Sequence, residues 1–270
     1  MGIKQKFFML SGLIGAIMAI VSCIGYYTAY SNLEDSVEKE LMATVETQGE
    51  ALDGWLREKA VPAVSAANLM ASFNGDITTN DIQKMMALAS SDKEIMGLTN
   101  GNESGAFMDA KADNTGKVDP RGRGWYKDAK AAGKLIFTDA YNDATTGKLV
   151  VSAAMPYKDQ TGNFRGAICD DITLDTLKER VKAVTYRGAG TGFIIEKSGK
   201  IIASTNDSDV MTDVKDNDGM GRHFQEMVQK GKGFFLSEHS GNTVVMAYTT
   251  VPSTNWVVVI GVDSAIVFAA

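Results

Sequence analysis

The run Asp119-Pro120-Arg121-Gly122-Arg123-Gly124-Trp125-Tyr126, with Tyr141-Asn142-Asp143 and the pair Asp170-Asp171 further on, holds the side chains best suited to recognition chemistry. Arginine presents a planar fork of donors that matches a carboxylate, and a carboxylate accepts the hydrogen bonds of an ammonium. A cavity with one at each end suits a small zwitterion. Tyr126, Tyr141 and Trp125 offer apolar walls with polar tips, and Tyr141 or Trp125 can also lie against a cation. Pro120 fixes a turn, while Gly122 and Gly124 permit close or left-handed backbone, so the run predicts a shaped loop that enters a helix at Trp125. The same residues have a structural use: Trp125 and Tyr126 as core aromatics, the arginines in surface ion pairs, and Asp143 as the cap of a hairpin turn. Asp170 and Asp171 are adjacent on a predicted strand, so their side chains point to opposite faces and only one should reach a ligand.

The elements that must position these groups are strands. From residue 95 the hydrophobic period is two, and 95–98, 105–109, 134–137, 148–155 and 165–172 read as strands. Turns are expected at Asn100-Gly101-Asn102, Asn114-Thr115-Gly116, Thr145-Thr146-Gly147 and Gln160-Thr161-Gly162. Leu174, Leu177, Val181 and Val184 return to helical spacing. A second set of strands follows at 192–196, 200–204, 233–238, 243–250 and 256–262, interrupted by a polar segment, 206–218, and a short helix over 223–229. The second set echoes the first at a period of about 100 residues, too long for a solenoid. Gly133-Lys134 matches Gly231-Lys232, Gly147 matches Gly241, the GRGWY run has a faint counterpart in Gly221-Arg222-His223-Phe224, and both copies finish on an apolar strand ending in aspartate. Two related sheet lobes in series are implied. The second copy lacks the arginine, tryptophan, tyrosine and aspartate set, and His239-Ser240 replaces Tyr141-Asn142-Asp143, which directs the ligand site to the first lobe and leaves the second as a relay.

Residues 7–33 carry no charge, and at ~1.5 Å per residue some 20 of them cross a hydrocarbon core of ~30 Å. Lys4 and Lys6 precede the run and Glu34, Asp35, Glu38 and Glu40 follow it, which places the N-terminus in the cytoplasm and the remainder outside. A cleavable signal peptide starts similarly, but its apolar region is ~7–15 residues long, and Thr28-Ala29-Tyr30 is a poor cleavage site. An uncleaved anchor is the expectation. Leu33, Val37, Leu41, Val45, Leu52 and Leu56, with Trp55 alongside, then mark a long amphipathic helix that Pro62 should kink or divide. Its stripe can pack on its own lobes and on a second copy of itself. Asn74-Gly75-Asp76 reads as a stop, and Thr79-Asn80-Asp81 as the cap of a short helix over 82–88.

With 270 residues, 44% of them apolar, the chain can bury a substantial core, and its net charge of −6 argues against nucleic acid as a partner. Cys23 and Cys169 make no disulfide framework, and the methionines read as core filler. His223 and His239 lack metal-ligand spacing, no serine sits in a nucleophile elbow, and no glycine loop cradles phosphate. Asn206-Asp207-Ser208-Asp209-Val210 lacks the glycine at which a calcium loop turns, so it reads as a solvated loop. Neither catalysis nor a metal or cofactor is expected.

The segments DPRGRGWYKDA and FTDAYNDATTGKLVVSAAMPYKDQTGNFRGAICDDITLDTL resemble the double-Cache extracellular sensor domain of bacterial methyl-accepting chemotaxis proteins. The resemblance runs from about Leu33 to the end of the chain. It implies an α+β fold in which one transmembrane helix and a long helix precede two tandem PAS-like (Cache) antiparallel-sheet lobes. The implied division is a cytoplasmic 1–6, an anchor at 7–30, the long helix at 31–73, a ligand-binding, membrane-distal lobe at 74–185, a membrane-proximal lobe at 186–264, and the start of an exit segment at 265–270. In the amino-acid-binding branch, the arginine and tryptophan of R-x-W-Y hold the ligand carboxylate, and aspartates and a tyrosine further on hold the ammonium. The matching positions are Arg123, Trp125, Tyr126, Tyr141, Asp143 and Asp171, with Asp170 as second choice for the last. That branch usually carries a tyrosine before D-P-R, where this chain has Val118. The implied function is the ligand-sensing region of a chemoreceptor in the bacterial plasma membrane, binding a small zwitterion or carboxylate such as an amino acid and pairing as a homodimer through the long helix. Such domains also occur on histidine kinases and diguanylate cyclases, and the alternative from another class is a structural surface domain that binds no ligand.

Overall fold

One helix carries the rest of the chain. In the computed structural model, which describes residues 2–73, 78–87, 91–217, 219–239 and 241–268, helix α1 (Ile3–Ser72) runs for 70 residues. Every side chain described between 7 and 29 is exposed, and this is the one helix among the described residues long and apolar enough to cross a membrane. Beyond it the helix turns amphipathic as the spacing predicts: Val37, Leu41, Val45, Leu52, Trp55 and Leu56 are all buried. Each large aliphatic side chain so buried contributes about 2 kcal/mol. Pro62 lies inside α1 and does not divide it. Ala60, Ala63, Ala66 and Ala67 are buried around it, so packing against the lobes holds the helix continuous where one backbone hydrogen bond is lost.

The first lobe is a six-stranded antiparallel sheet. It comprises β1 (Leu98–Asn102), β2 (Phe107–Asp109), β3 (Ile136–Phe137), β4 (Tyr141–Asn142), β5 (Leu149–Lys158) and β6 (Phe164–Thr173) in the order β2-β1-β6-β5-β3, with β4 also on β5. Helix α2 (Thr79–Met86) precedes the sheet and is capped by Thr78, one residue before the predicted cap. Helix α3 (Gly124–Ala132) follows the Asp119-Pro120-Arg121-Gly122 turn, and α4 (Leu174–Val181) leaves the end of β6. The second lobe comprises β7 (Thr191–Ile195), β8 (Ile201–Ser204), helix α5 (Phe224–Lys230), β9 (Lys232–His239), β10 (Asn242–Thr250) and β11 (Val257–Asp263), followed by a final turn of helix α6 (Ser264–Val267). Its order, β8-β7-β11-β10-β9, repeats that of the first sheet strand for strand.

Each sheet has two covered faces. One cluster unites α1 with Val151, Ile168 and Ile172 of the first sheet and Val245, Val258 and Ile260 of the second. The opposite face of the first sheet packs Ala154, Ala167 and Cys169 against Trp125, Tyr126 and Ala129 of α3. That of the second packs Phe193, Met246 and Val259 against Phe224 and Met227 of α5.

The structure moves the first strand from the expected 95–98 to Leu98–Asn102. Asn100-Gly101-Asn102, read as a turn, lies within β1, paired with both β2 and β6. Glycine is there for space: a Cβ on Gly101 would lie 2.6 Å from Pro120 Cβ and 2.8 Å from Trp125 Cη2. The expected stop at Asn74-Gly75-Asp76, Leu88 at the end of the predicted short helix, Asp218, Ser240 and the terminal Ala269-Ala270 lie outside the described residues.

Candidate ligand-binding site

Alternation along β6 divides the two adjacent aspartates. Asp171 stands opposite Ser152, and Asp170 opposite Ala153. Asp171 shares the α3 face with Cys169 and Ala154, whereas Asp170 shares the α1 face with Ile168 and Ile172. On the α3 face, Asp171 Oδ1 accepts a hydrogen bond from the Tyr141 hydroxyl at 3.2 Å and another from Ser152 Oγ. Burial pushes its pKa up to about 6, although the Ser152 and Tyr141 hydroxyls and the Arg123 charge pull the other way.

Arg123 occupies the N-cap of α3 with extended backbone, which turns its side chain back across β4. Nη2 donates to the Asn142 carbonyl at 2.8 Å, and the guanidinium carbon lies 5.5 Å from the centre of the Tyr141 ring. Among the described residues, no carboxylate lies within ion-pair distance of Arg123. Arg121, by contrast, pairs with Asp119 at 2.8 Å and serves the loop.

Arg123, Trp125, Thr138, Asp139, Ala140 and Tyr141 line a cavity of about 390 Å³. Tyr141 is the shared wall, with one side on the cavity and its hydroxyl on Asp171. Burial raises the pKa of that hydroxyl, which keeps it a neutral donor. Trp125 is fixed between Phe107 and Tyr126, with ring centroids at 6.5 and 5.6 Å.

Two other predicted residues are occupied differently. The Tyr126 hydroxyl donates to Glu103 Oε1 at 2.7 Å, and its ring packs edge-on to Phe164, away from the Arg123–Tyr141–Asp171 group. Asp143 Oδ2 receives the Thr145 hydroxyl, the Thr146 hydroxyl and the Thr146 backbone N–H, at 2.7, 2.6 and 2.7 Å. Burial would raise its pKa, but those donors outweigh it and hold the carboxylate below its ordinary value. Asp143 thus caps the hairpin turn, while its field still reaches Asp171.

Asp170 is completely buried, and neither of its carboxylate oxygens has a hydrogen-bond partner among the described residues. Burial, with the nearby charges of Asp171 and Asp92, pushes its pKa up to about 8, only partly opposed by Lys59. Ser152, Thr138 and Glu196 belong to the site without being marked by any motif. Ser152 N–H donates to Thr138 Oγ1 at 2.9 Å, and Ala140 N–H donates to Glu196 Oε2 at 2.8 Å. For Ser152 a signal existed, a small polar residue within an apolar strand, but its partners lie on other strands.

A sequence profile of the Cache domain family matches residues 26–270. The methyl-accepting chemotaxis protein PscA of Pseudomonas syringae pv. tomato is 26% identical over 80% of this chain. The chain spans 34%, 40% and 30% of the length of the first three curated relatives it matches, all methyl-accepting chemotaxis proteins. The ligand-binding domain of the Pseudomonas fluorescens chemoreceptor CtaA, solved with L-isoleucine, superposes with a TM-score of 0.75 at 24% identity, covering 90% of this chain and 99% of that one. The ligand binding domain of Mlp24, solved with asparagine, gives a TM-score of 0.66 at 27% identity, covering 88% and 97%.

Proposed function

Because the chain belongs to the Cache domain family, we propose that it is the sensing region of a bacterial transmembrane chemoreceptor whose first lobe captures a small zwitterion, an amino acid above all. The observation that carries this reading is the line Arg123–Tyr141–Asp171 on one face of one sheet, with a cavity beside it. Arg123 takes the carboxylate through the donors that Asn142 leaves over, and the Trp125 indole N–H adds another. The ammonium goes to Asp171, reached by displacement of the Tyr141 hydroxyl, and the Tyr141 ring covers the cation. An arriving ammonium favours the ionised carboxylate that burial disfavours, so ligand and proton compete for Asp171. Asp143 contributes its field and the shape of the turn. The amino acids named with the CtaA and Mlp24 domains agree with this ligand class.

The apolar start of α1 acts as an uncleaved anchor in the bacterial plasma membrane, with residues 31–270 outside and the first lobe farther from the bilayer. Two copies pair through α1, and the second lobe passes the change in the first toward the membrane. A ligand shifts such an equilibrium only by its difference in affinity for the two states.

The test is isothermal titration of the full chain in nanodiscs against the common amino acids. At least one should bind saturably, and Arg123→Ala should weaken it by about a hundredfold, the loss of a bidentate charge pair. If no amino acid binds, or Arg123→Ala leaves the affinity unchanged, the reading fails.

A further inference from the structure

β9 is an edge strand of the second sheet, paired with β10 alone among the described strands. Phe234 and Leu236 point to its α1 face, opposite Ala247 and Val245, yet remain 41% and 57% exposed. Beyond residue 73, the described large apolar side chains left exposed are Val228, Phe234, Leu236 and Ile266. Three of these four gather at one end of the second lobe. An apolar edge strand left open invites pairing with other chains, so a surface of this kind is normally covered.

The register shows which end this is. Lys232 Nζ, at the start of β9, lies 3.0 Å from Glu46 Oε1 on α1. Leu236, further along β9, borders a groove of about 270 Å³ together with Val37 of α1. From Lys232 to Leu236 the strand covers about 13 Å, and from Glu46 to Val37 the helix covers about 14 Å, so β9 descends along α1 toward its apolar start. β9 ends at His239, about 10 Å lower again, which is level with the last turns of the charge-free run 7–33. β11 runs the same way, because Asp263 and Ser237 both stand opposite Val244. From that level α6 leaves, with Ile266 exposed and Phe268 reaching the groove.

The groove is apolar within and acidic at its rim. Val37, Phe234, Leu236 and Phe268 form its walls. Its charge comes from Glu34, Asp35 and Glu38, on the first turn of α1 after the charge-free run, and no lysine, arginine or histidine is among the lining residues. None of the three carboxylates forms an ion pair with a described residue.

We propose that this end of the second lobe rests on the bilayer, with Phe234, Leu236 and Ile266 in the headgroup layer and the acidic rim favouring phospholipids whose headgroup carries an ammonium. The proposal rests on the reading of residues 7–30 as a membrane anchor, since the helix that crosses the bilayer is itself a wall of the groove. Glu34 follows the charge-free run directly, and Val37 lies one turn above it. A lipid surface covers apolar side chains that the fold leaves in water. The ammonium of phosphatidylethanolamine meets the unpaired carboxylates, whereas phosphatidylglycerol brings a net negative charge against them. The lobe is thereby tied to lipid as well as to α1, and a rotation or lift of the lobe must strip those contacts.

The test uses the full chain in nanodiscs whose lipids carry a nitroxide on the headgroup, with Leu236→Trp as the reporter. Trp55 lies about 33 Å along α1 from Leu33, Trp125 is in the first lobe, and Trp256 stands just before the start of β11, at its upper end, so the native tryptophans are far from the nitroxide. Emission of Leu236→Trp should be quenched at least twofold more than that of the wild type. Val228→Trp, equally exposed but on α5, should behave as the wild type does. Quenching of Leu236→Trp should be stronger in phosphatidylethanolamine discs than in phosphatidylglycerol discs, and the combined change Glu34→Gln, Asp35→Asn, Glu38→Gln should remove that difference. The proposal is overturned if Leu236→Trp is quenched no more than Val228→Trp, or if phosphatidylglycerol discs quench it as strongly. It is also overturned if its emission ignores the nitroxide but differs between discs holding one and two chains, the mark of a second copy in the groove. A chain that elutes with the disc and shows no quenching sinks this inference alone, whereas a chain that leaves the disc sinks the anchor with it.

Discussion

The backbone N–H of Ala140 donates to Glu196 Oε2 at 2.8 Å, joining the rim of the first-lobe cavity to the end of β7 in the second. Glu196 is 2% exposed, burial raises its pKa, and its other oxygen receives the Ser198 hydroxyl at 2.6 Å. Residues 138–142 are therefore held by a group that does not line the cavity. Glu196→Ala should weaken amino acid binding by about tenfold, whereas Glu196→Gln, which keeps an acceptor, should retain most of it. Calorimetry on both variants decides; equal affinities in wild type and Glu196→Ala would show that the link does not shape the cavity.

Asp170 predicts a pH-dependent stability of definite sign. Its folded pKa of about 8 exceeds the ~3.9 of an unfolded aspartate, so between these values the folded state holds the extra proton. Stability is fully present below the unfolded value and is lost as the pH rises through about 8. Near pH 7, between the two titrations, the slope from Asp170 should approach about 1.4 kcal/mol per unit. Urea denaturation should show this decline in wild type and a flattened profile in Asp170→Asn.

Asp171 predicts the opposite dependence for binding. An ammonium needs the ionised carboxylate, so affinity for an amino acid should be constant well above pH 6 and fall by up to about tenfold per unit below it. Tyr141→Phe removes a donor to Asp171 Oδ1 and should move the midpoint upward. Titrations from pH 5 to 8 measure both. A midpoint that stays in place in Tyr141→Phe would mean that the hydroxyl does not tune the carboxylate.

Lys59 is an interior cation on α1, with Nζ 2.7 Å from Asp92 and 2.8 Å from Glu94. The Lys59 ammonium is the chief reason why the Glu94 carboxyl is held down to about 2. Lys59→Ala should cost about 2 kcal/mol by leaving Asp92 without its cation, while Glu94 keeps its pair with Arg180. Chemical denaturation at pH 7 checks the figure, and a loss under 1 kcal/mol would indicate that water replaces the lysine.

Much of this was legible in the chain because it is local. The spacing of Val37, Leu41, Val45, Leu52 and Leu56 predicted the buried stripe of α1, and strand alternation separated Asp170 from Asp171. What escaped depends on partners distant in sequence. Asn100-Gly101-Asn102 has the composition of a turn, yet it is a strand because Pro120 and Trp125 leave room only for glycine. Tyr126 follows Trp125 in the recognised motif, but Glu103, from another loop, takes its hydroxyl. The tie between Ala140 and Glu196 joins residues in different lobes, and no periodicity announces it.

The unbroken course of α1 past Leu33 gives its apolar start and the amphipathic stretch that carries the lobes one screw axis. Each residue added to a helix turns everything beyond it by about 100°. A single insertion before Val37 would therefore leave both lobes intact but swing them to a new azimuth. The direction in which the head faces is thus written in the residue count of its stalk.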